Sequence, residues 1–300
     1  MMPAGTDKAK LGAIAFAVTT CLVSWSFLWA LRSGLRVSAG LMPFLLMWIP
    51  GTVSIAFRLG SGEGFSSVGF RAGQMRYWVW AYAVPLGLAT ATYATAWLMQ
   101  QVQLTPYLKE QSMLGPLPFR WSWFDAEAST GSLLAQRFLM VATVSIVIGY
   151  VGALGEEIGW RGYLLPKLVQ AGVRFPILIV GLIWGVWHVP FVLLMFQHHP
   201  YGAAVLYTLA CVVIGVFISW LRLASGSVWV AAMAHASYNS FYQDFFDHSF
   251  VGEKKWFWAG EVGLLCSVTF AAVAVLLYRT NRIAPLLQEA RAQYATVQVP

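Results

Sequence analysis

FPILIVGLIWGVWHVPFVLLMF, Phe175–Phe196, has no formal charge and one ionisable side chain, His188. A helix needs about 20 apolar residues to cross the hydrocarbon core of a bilayer, and this stretch is long enough. Reading it as a transmembrane helix decides the fold class. The rest of the chain agrees: of 300 residues, 59% are hydrophobic and only 10% charged, with a mean hydropathy of +0.65. Soluble domains carry roughly a quarter charged residues, so the solvent around most of this chain is lipid. Further spans are expected near Leu11–Leu31, Leu41–Phe57, Trp78–Met99, Leu133–Ala153, Ala203–Leu221, Ser227–Phe245 and Phe257–Tyr278. The expectation is an all-α polytopic membrane bundle of about eight helices, the seventh the least hydrophobic because it holds His and Asn.

The net charge of +7 does not point to nucleic acid. The lysines and arginines form no groove or stripe; they flank the spans. Lys8, Lys10, Arg58, Arg71, Arg76 and Lys167 are among the larger set that falls on one side, and Arg32, Arg36, Lys109 and Arg120 fall on the other. The positive-inside rule then puts both termini in the cytoplasm, and an even number of spans agrees with that. The first span exceeds a signal-peptide core of about 7–15 residues and reads as a retained anchor, with Ser38-Ala39-Gly40 as the one cleavage-like site. Cys21, Cys211 and Cys266 all fall within spans and read as small packing residues. The longest polar insertion, Gln100–Ser132, carries Pro106, Pro116, Pro118, Trp121, Trp123 and Phe124. It reads as an outer surface loop, partly an interfacial helix. Phe65–Arg76 reads as a short inner loop. No internal repeat is present, and residues 1–300 read as a single membrane domain.

Three places break the apolar pattern with groups able to do chemistry. Ionisable side chains inside a membrane cost about 2.5–3.5 kcal/mol each on insertion scales, so they need partners and a reason. The first place is LGEEIGWRGYLLP, Leu154–Pro166. Glu157 and Arg161 stand four apart in the favourable order for a helical ion pair. Glu156 points about 100° away around the axis, which leaves one carboxylate neutralised and its neighbour available. A solvated helix end is the competing reading. The second is IWGVWHVPF, Ile183–Phe191, where Trp184 lies one turn before His188 on the same face and Pro190 is expected to kink the helix. The third is HASYNSF, His235–Phe241, with His235 and Asn239 on one helix face. Packing and interhelical glue are the plain readings of the last two. Together, Glu156, His188, His235 and Asn239 come from three helices and supply a base, two imidazoles and an amide. Those are the parts needed to deprotonate water and stabilise a tetrahedral oxyanion.

These residues resemble the CAAX-protease and bacteriocin-processing (CPBP, or Abi) family of intramembrane endopeptidases. That family carries Glu-Glu-x-x-x-Arg, Phe-x-x-x-His and His-x-x-x-Asn motifs. Here they stand as Glu156-Glu157-Ile158-Gly159-Trp160-Arg161, Trp184-Gly185-Val186-Trp187-His188 and His235-Ala236-Ser237-Tyr238-Asn239. Trp184 replaces the usual Phe, which bears on pocket shape. The resemblance covers about Leu133–Phe246, with 133–246 as the catalytic core. It implies a central cavity open to the membrane and cleavage near the membrane face, on a membrane-embedded or lipidated peptide. A bacterial inner (plasma) membrane location is expected.

The expected chemistry has Glu156 and His188 activating water, His235 and Asn239 holding the oxyanion, and Glu157 with Arg161 bracing the helix beside Trp184. The family is often labelled metalloprotease, and Glu156, His188 and His235 could hold zinc or another divalent metal with a position left for water. The compact His-Glu-x-x-His pair is absent. Two readings from other classes stay open: a non-catalytic immunity or scaffold protein on the same fold, and a proton-coupled transporter. His198 and His199 read as an outer turn, and Glu261 as an interfacial residue.

Overall fold

The computed structural model describes residues 4–38, 40–105 and 129–296. The centre of the Gln100–Ser132 insertion, with its prolines, Trp121, Trp123 and Phe124, lies outside the described residues, as do Ala39, Lys109 and Arg120. The described chain is an all-α bundle. Helix α1 spans Ala4–Arg32, α2 Leu41–Ser61 and α3 Met75–Leu98. Helix α4 runs as one rod over Thr130–Gln170. Then come α5 (Pro176–Met195), α6 (Pro200–Ser225) and α7 (Val228–Tyr238), which continues as a π-helix over Asn239–Asp247. Helices α8 (Leu264–Arg279) and α9 (Ala284–Thr296) close the chain. The lone ladder among the described residues pairs Gln103 with Val251 and Leu104 with Phe250, antiparallel.

Five helices are long and apolar enough to cross a membrane: Thr6–Arg32, Leu41–Ser61, Thr130–Gln170, Pro176–Met195 and Pro200–Ser225. A sixth is reached if α8 and the start of α9, bent by 71°, count as one span. The expectation of eight is therefore met only in part, and each shortfall has a cause. In α3 the length suffices, but its Trp, Tyr and Thr residues dilute the hydropathy. The seventh expected span holds only an 11-residue α-helix before its geometry changes. In the eighth, a break between Trp258 and Leu264 separates a single turn from α8.

The bundle is apolar outside and polar within. Leu11, Trp29, Val147, Leu182 and Val205 are exposed, while Arg58, Glu156, Glu157, Arg161 and His235 are buried. That is the arrangement a lipid solvent demands. The helices meet through small residues. A Cβ on Gly51 would lie 2.6 Å from Gly155 O, and one on Gly159 would lie 2.5 Å from Pro50 Cβ, so α2 touches α4 backbone to backbone. Gly181 and Gly185 do the same for α5 against Val212 and Thr208 of α6. Without a hydrophobic force between helices in lipid, such close approach is what holds them. Arg58 adds a polar clamp: it donates to Gly64 O (2.7 Å), Ser67 Oγ (3.0 Å) and Gly162 O (2.8 Å), fastening the loop between α2 and α3 to α4.

Candidate active site

The Glu156–Arg161 stretch is not a helix end. It sits mid-way in α4, where the α-helix over Ile146–Gly159 gives way to a π-helical turn over Trp160–Leu164. Glu157 and Arg161 are fully buried and Glu156 is 2% exposed, so the solvated-end reading is corrected. Glycines on the α2-facing side of α4 bring it close enough to α2 to exclude lipid there.

Glu157 Oε1 accepts from Arg161 Nη1 at 2.8 Å, as the four-residue spacing predicts. The same oxygen meets His235 Nδ1 at 2.9 Å. Glu156 faces elsewhere. Its Oε2 accepts from the indoles of Trp184 (2.7 Å) and Trp160 (3.2 Å), and its Oε1 has no protein partner among the described residues.

Trp184 is the hub of the site. Besides donating to Glu156, its ring lies 4.6 Å from the Arg161 guanidinium carbon and carries the edges of His188 and His235 at 5.6 and 5.1 Å. The rings of Trp184 and His188 cross at 67°, in a T-shaped contact. His188 Nδ1 lies 2.9 Å from Trp184 O. A carbonyl only accepts, so Nδ1 carries the hydrogen in the neutral ring and the Nε2 lone pair is left free. Helix α5 runs through Pro190, two residues on.

Asn239 opens the π-helix that follows α7. Its Oδ1 accepts from Gln243 Nε2 at 3.4 Å. π-Helical turns often occur at functional sites, and here one follows Glu156 and another begins at Asn239.

Glu156, His188, His235 and Asn239 all line one cavity of about 110 Å³. That is room for several waters beside polar groups able to bind them. Trp184 also lines it, whereas Glu157 and Arg161 stand behind the wall. Sequence reasoning missed several members. Trp160 supplies the second indole on Glu156. Tyr207 and Cys211 of α6 line the same cavity, as do Gln243 and Glu261. Glu261 is therefore a cavity residue, not the interfacial one expected. Gln243 was legible as the third polar residue in the series 235, 239, 243. Glu261 carried no such signal. His199 occupies the N-cap position of α6 and stacks on Trp256 at 4.3 Å, and it does not line this cavity.

The donor set does not fit a metal. Among the described residues no three His, Cys, Asp or Glu side chains group so as to hold an ion.

Residues 138–241 match a family model. It is the type II CAAX prenyl endopeptidase Rce1-like family. The Rce1-like segment contains all three motifs, from Glu156 to Asn239, and falls within the part of the chain whose residues resemble the CPBP proteases. The family, together with the apolar helices, identifies an integral membrane protein of protease type. No curated protein matches the chain.

Proposed function

We propose that this protein is an intramembrane endopeptidase that hydrolyses a peptide bond in a membrane-associated, lipid-bearing substrate, with residues 133–246 as the catalytic core of a single membrane domain. The reading rests on one observation above others: a carboxylate, two imidazoles and a carboxamide, carried by three helices, line one cavity beneath an apolar exterior. The Rce1-like match over 138–241 supports the substrate class, a peptide with a prenylated C-terminal motif.

Water sits between Glu156 Oε1 and His188 Nε2, the two acceptors left open to the cavity. Glu156 takes a proton as the water oxygen attacks the scissile carbonyl carbon. General-base help of this kind contributes about 10²–10⁴-fold. The oxyanion forms against Asn239 and against His235, which keeps its Nδ1–H on Glu157 and donates from Nε2 in the imidazolium form; each such donor is worth about 10²–10³-fold. When the tetrahedral intermediate collapses, the C–N bond breaks and Glu156 returns its proton to the leaving amine. The products are a new carboxylate and a free amine, with no net change in the enzyme. Trp160 and Trp184 fix the Glu156 carboxylate in place, and Glu157 with Arg161 holds α4 and the His235 ring.

The test uses the full-length protein in liposomes and a farnesylated peptide ending in a CAAX sequence, with cleavage followed by mass spectrometry. Glu156→Gln is expected to abolish cleavage while the protein still inserts and gives a wild-type elution profile. Undiminished turnover in that variant would remove Glu156 from the mechanism.

A further inference from the structure

Glu261 belongs to none of the three motifs and stands ahead of α8, yet it lines the cavity with Glu156 and Asn239. Its backbone carbonyl accepts a 2.8 Å hydrogen bond from the hydroxyl of Tyr238, the neighbour of Asn239. Its carboxyl Oε2 accepts from Gln243 Nε2. That same nitrogen donates to Asn239 Oδ1 at 3.4 Å. On the other wall of the same cavity stands Tyr207, whose ring centre is 4.8 Å from that of His188.

The order of donors and acceptors along this chain carries the inference. The Glu261 carboxyl oxygen is the acceptor in this contact, so Gln243 turns its NH₂ toward Glu261. The second hydrogen of that NH₂ serves Asn239, which must answer with its carbonyl oxygen. The Asn239 NH₂ is then left without a protein partner among the described residues, on a side chain that lines the cavity. We propose that Glu261, acting through Gln243, sets the orientation of the Asn239 carboxamide so that it offers an N–H donor, not a carbonyl, to the peptide. Glu261 and Gln243 are positioning residues and touch no reacting atom. A carboxamide turned the other way places an acceptor oxygen against the oxyanion and repels it.

The proposal rests on the oxyanion role of Asn239, and the experiment separates the two. Full-length variants in liposomes are assayed on the farnesylated CAAX peptide. Glu261→Gln keeps the size of the side chain but can donate as well as accept, so the amide chain loses its fixed direction. We expect kcat to fall about tenfold, part of what an oxyanion donor supplies, with KM little changed. Glu261→Asp, which keeps the acceptor, restores part of the rate. In an Asn239→Ala background Glu261→Gln costs nothing more, because both act through one amide. Wild-type kcat in Glu261→Gln, or a loss that multiplies with that of Asn239→Ala, overturns this proposal and leaves the oxyanion reading standing. Full activity in Asn239→Ala overturns both. A readout without substrate is the side-chain ¹⁵N–H₂ signal of Asn239, assigned by its loss in Asn239→Ala. It should move in Glu261→Gln, and an unmoved signal also overturns the proposal.

Discussion

Trp184 does what a phenylalanine at that position cannot: its indole N–H binds the carboxylate proposed as the base. Hydrogen bonds to charged groups are worth about 1.5–3 kcal/mol net, so this one helps decide where Glu156 points. Trp184→Phe restores the residue usual in the resembling family and keeps an aromatic ring. It removes the donor and leaves Glu156 with Trp160 alone. The expected outcome is a folded enzyme whose kcat is about tenfold lower, equivalent to 1.4 kcal/mol, on the farnesylated peptide. An unchanged kcat would show that Trp184 acts as a ring only. At this scale the sequence was legible wherever partners are near in the chain. The Glu157–Arg161 pair follows from helix spacing. The His235–Glu157 contact joins residues 78 apart and depends on how α7 meets α4, which no local pattern encodes. Glu156 was separated from Glu157 by helix geometry alone, but the two indoles that hold it became visible only with the packing.

Among the elements, α4 and α5 carry the site, and glycines set their depth. A Cβ on Gly185 would stand 2.8 Å from Thr208 Cα, and one on Gly159 would stand 2.5 Å from Pro50 Cβ, closer than real contacts allow. Gly185→Ala and Gly159→Ala must each push a neighbouring helix outward. Overpacking of this kind costs about 1–3 kcal/mol. Both variants should melt lower in detergent and cut more slowly, since His188 and Glu156 ride on the displaced helices. Gly87→Ala is the control: nothing lies within 4 Å of its added Cβ, and alanine favours a helix. Equal melting points across all three would contradict the close-contact account. Apolar runs revealed α1, α2, α5 and α6, as well as the first half of α4. They did not reveal that α4 continues through its charges to Gln170, because burial of Glu157 and Arg161 depends on partners in α6 and α7. Nor did they reveal the π-helical turns.

At the scale of the molecule, a polar interior inside an apolar surface fixes both solvent and chemistry. Composition alone established the membrane class, and five to six of the eight expected spans are long and apolar enough to cross a membrane among the described residues. From the flanking charges we propose that both termini are cytoplasmic. Single-cysteine variants Lys10→Cys and Arg282→Cys should react with an impermeant maleimide only in opened cells, and Lys254→Cys in intact ones. The reverse pattern would invert the orientation. The central claim is that the cavity delivers water to a peptide carbonyl with Glu156 as base. A single turnover of the farnesylated CAAX peptide in H₂¹⁸O tests it most directly. The account predicts one ¹⁸O in the new peptide carboxylate and none in Glu156. Label in Glu156 with an unlabelled product, or no product from the wild-type enzyme, would contradict it.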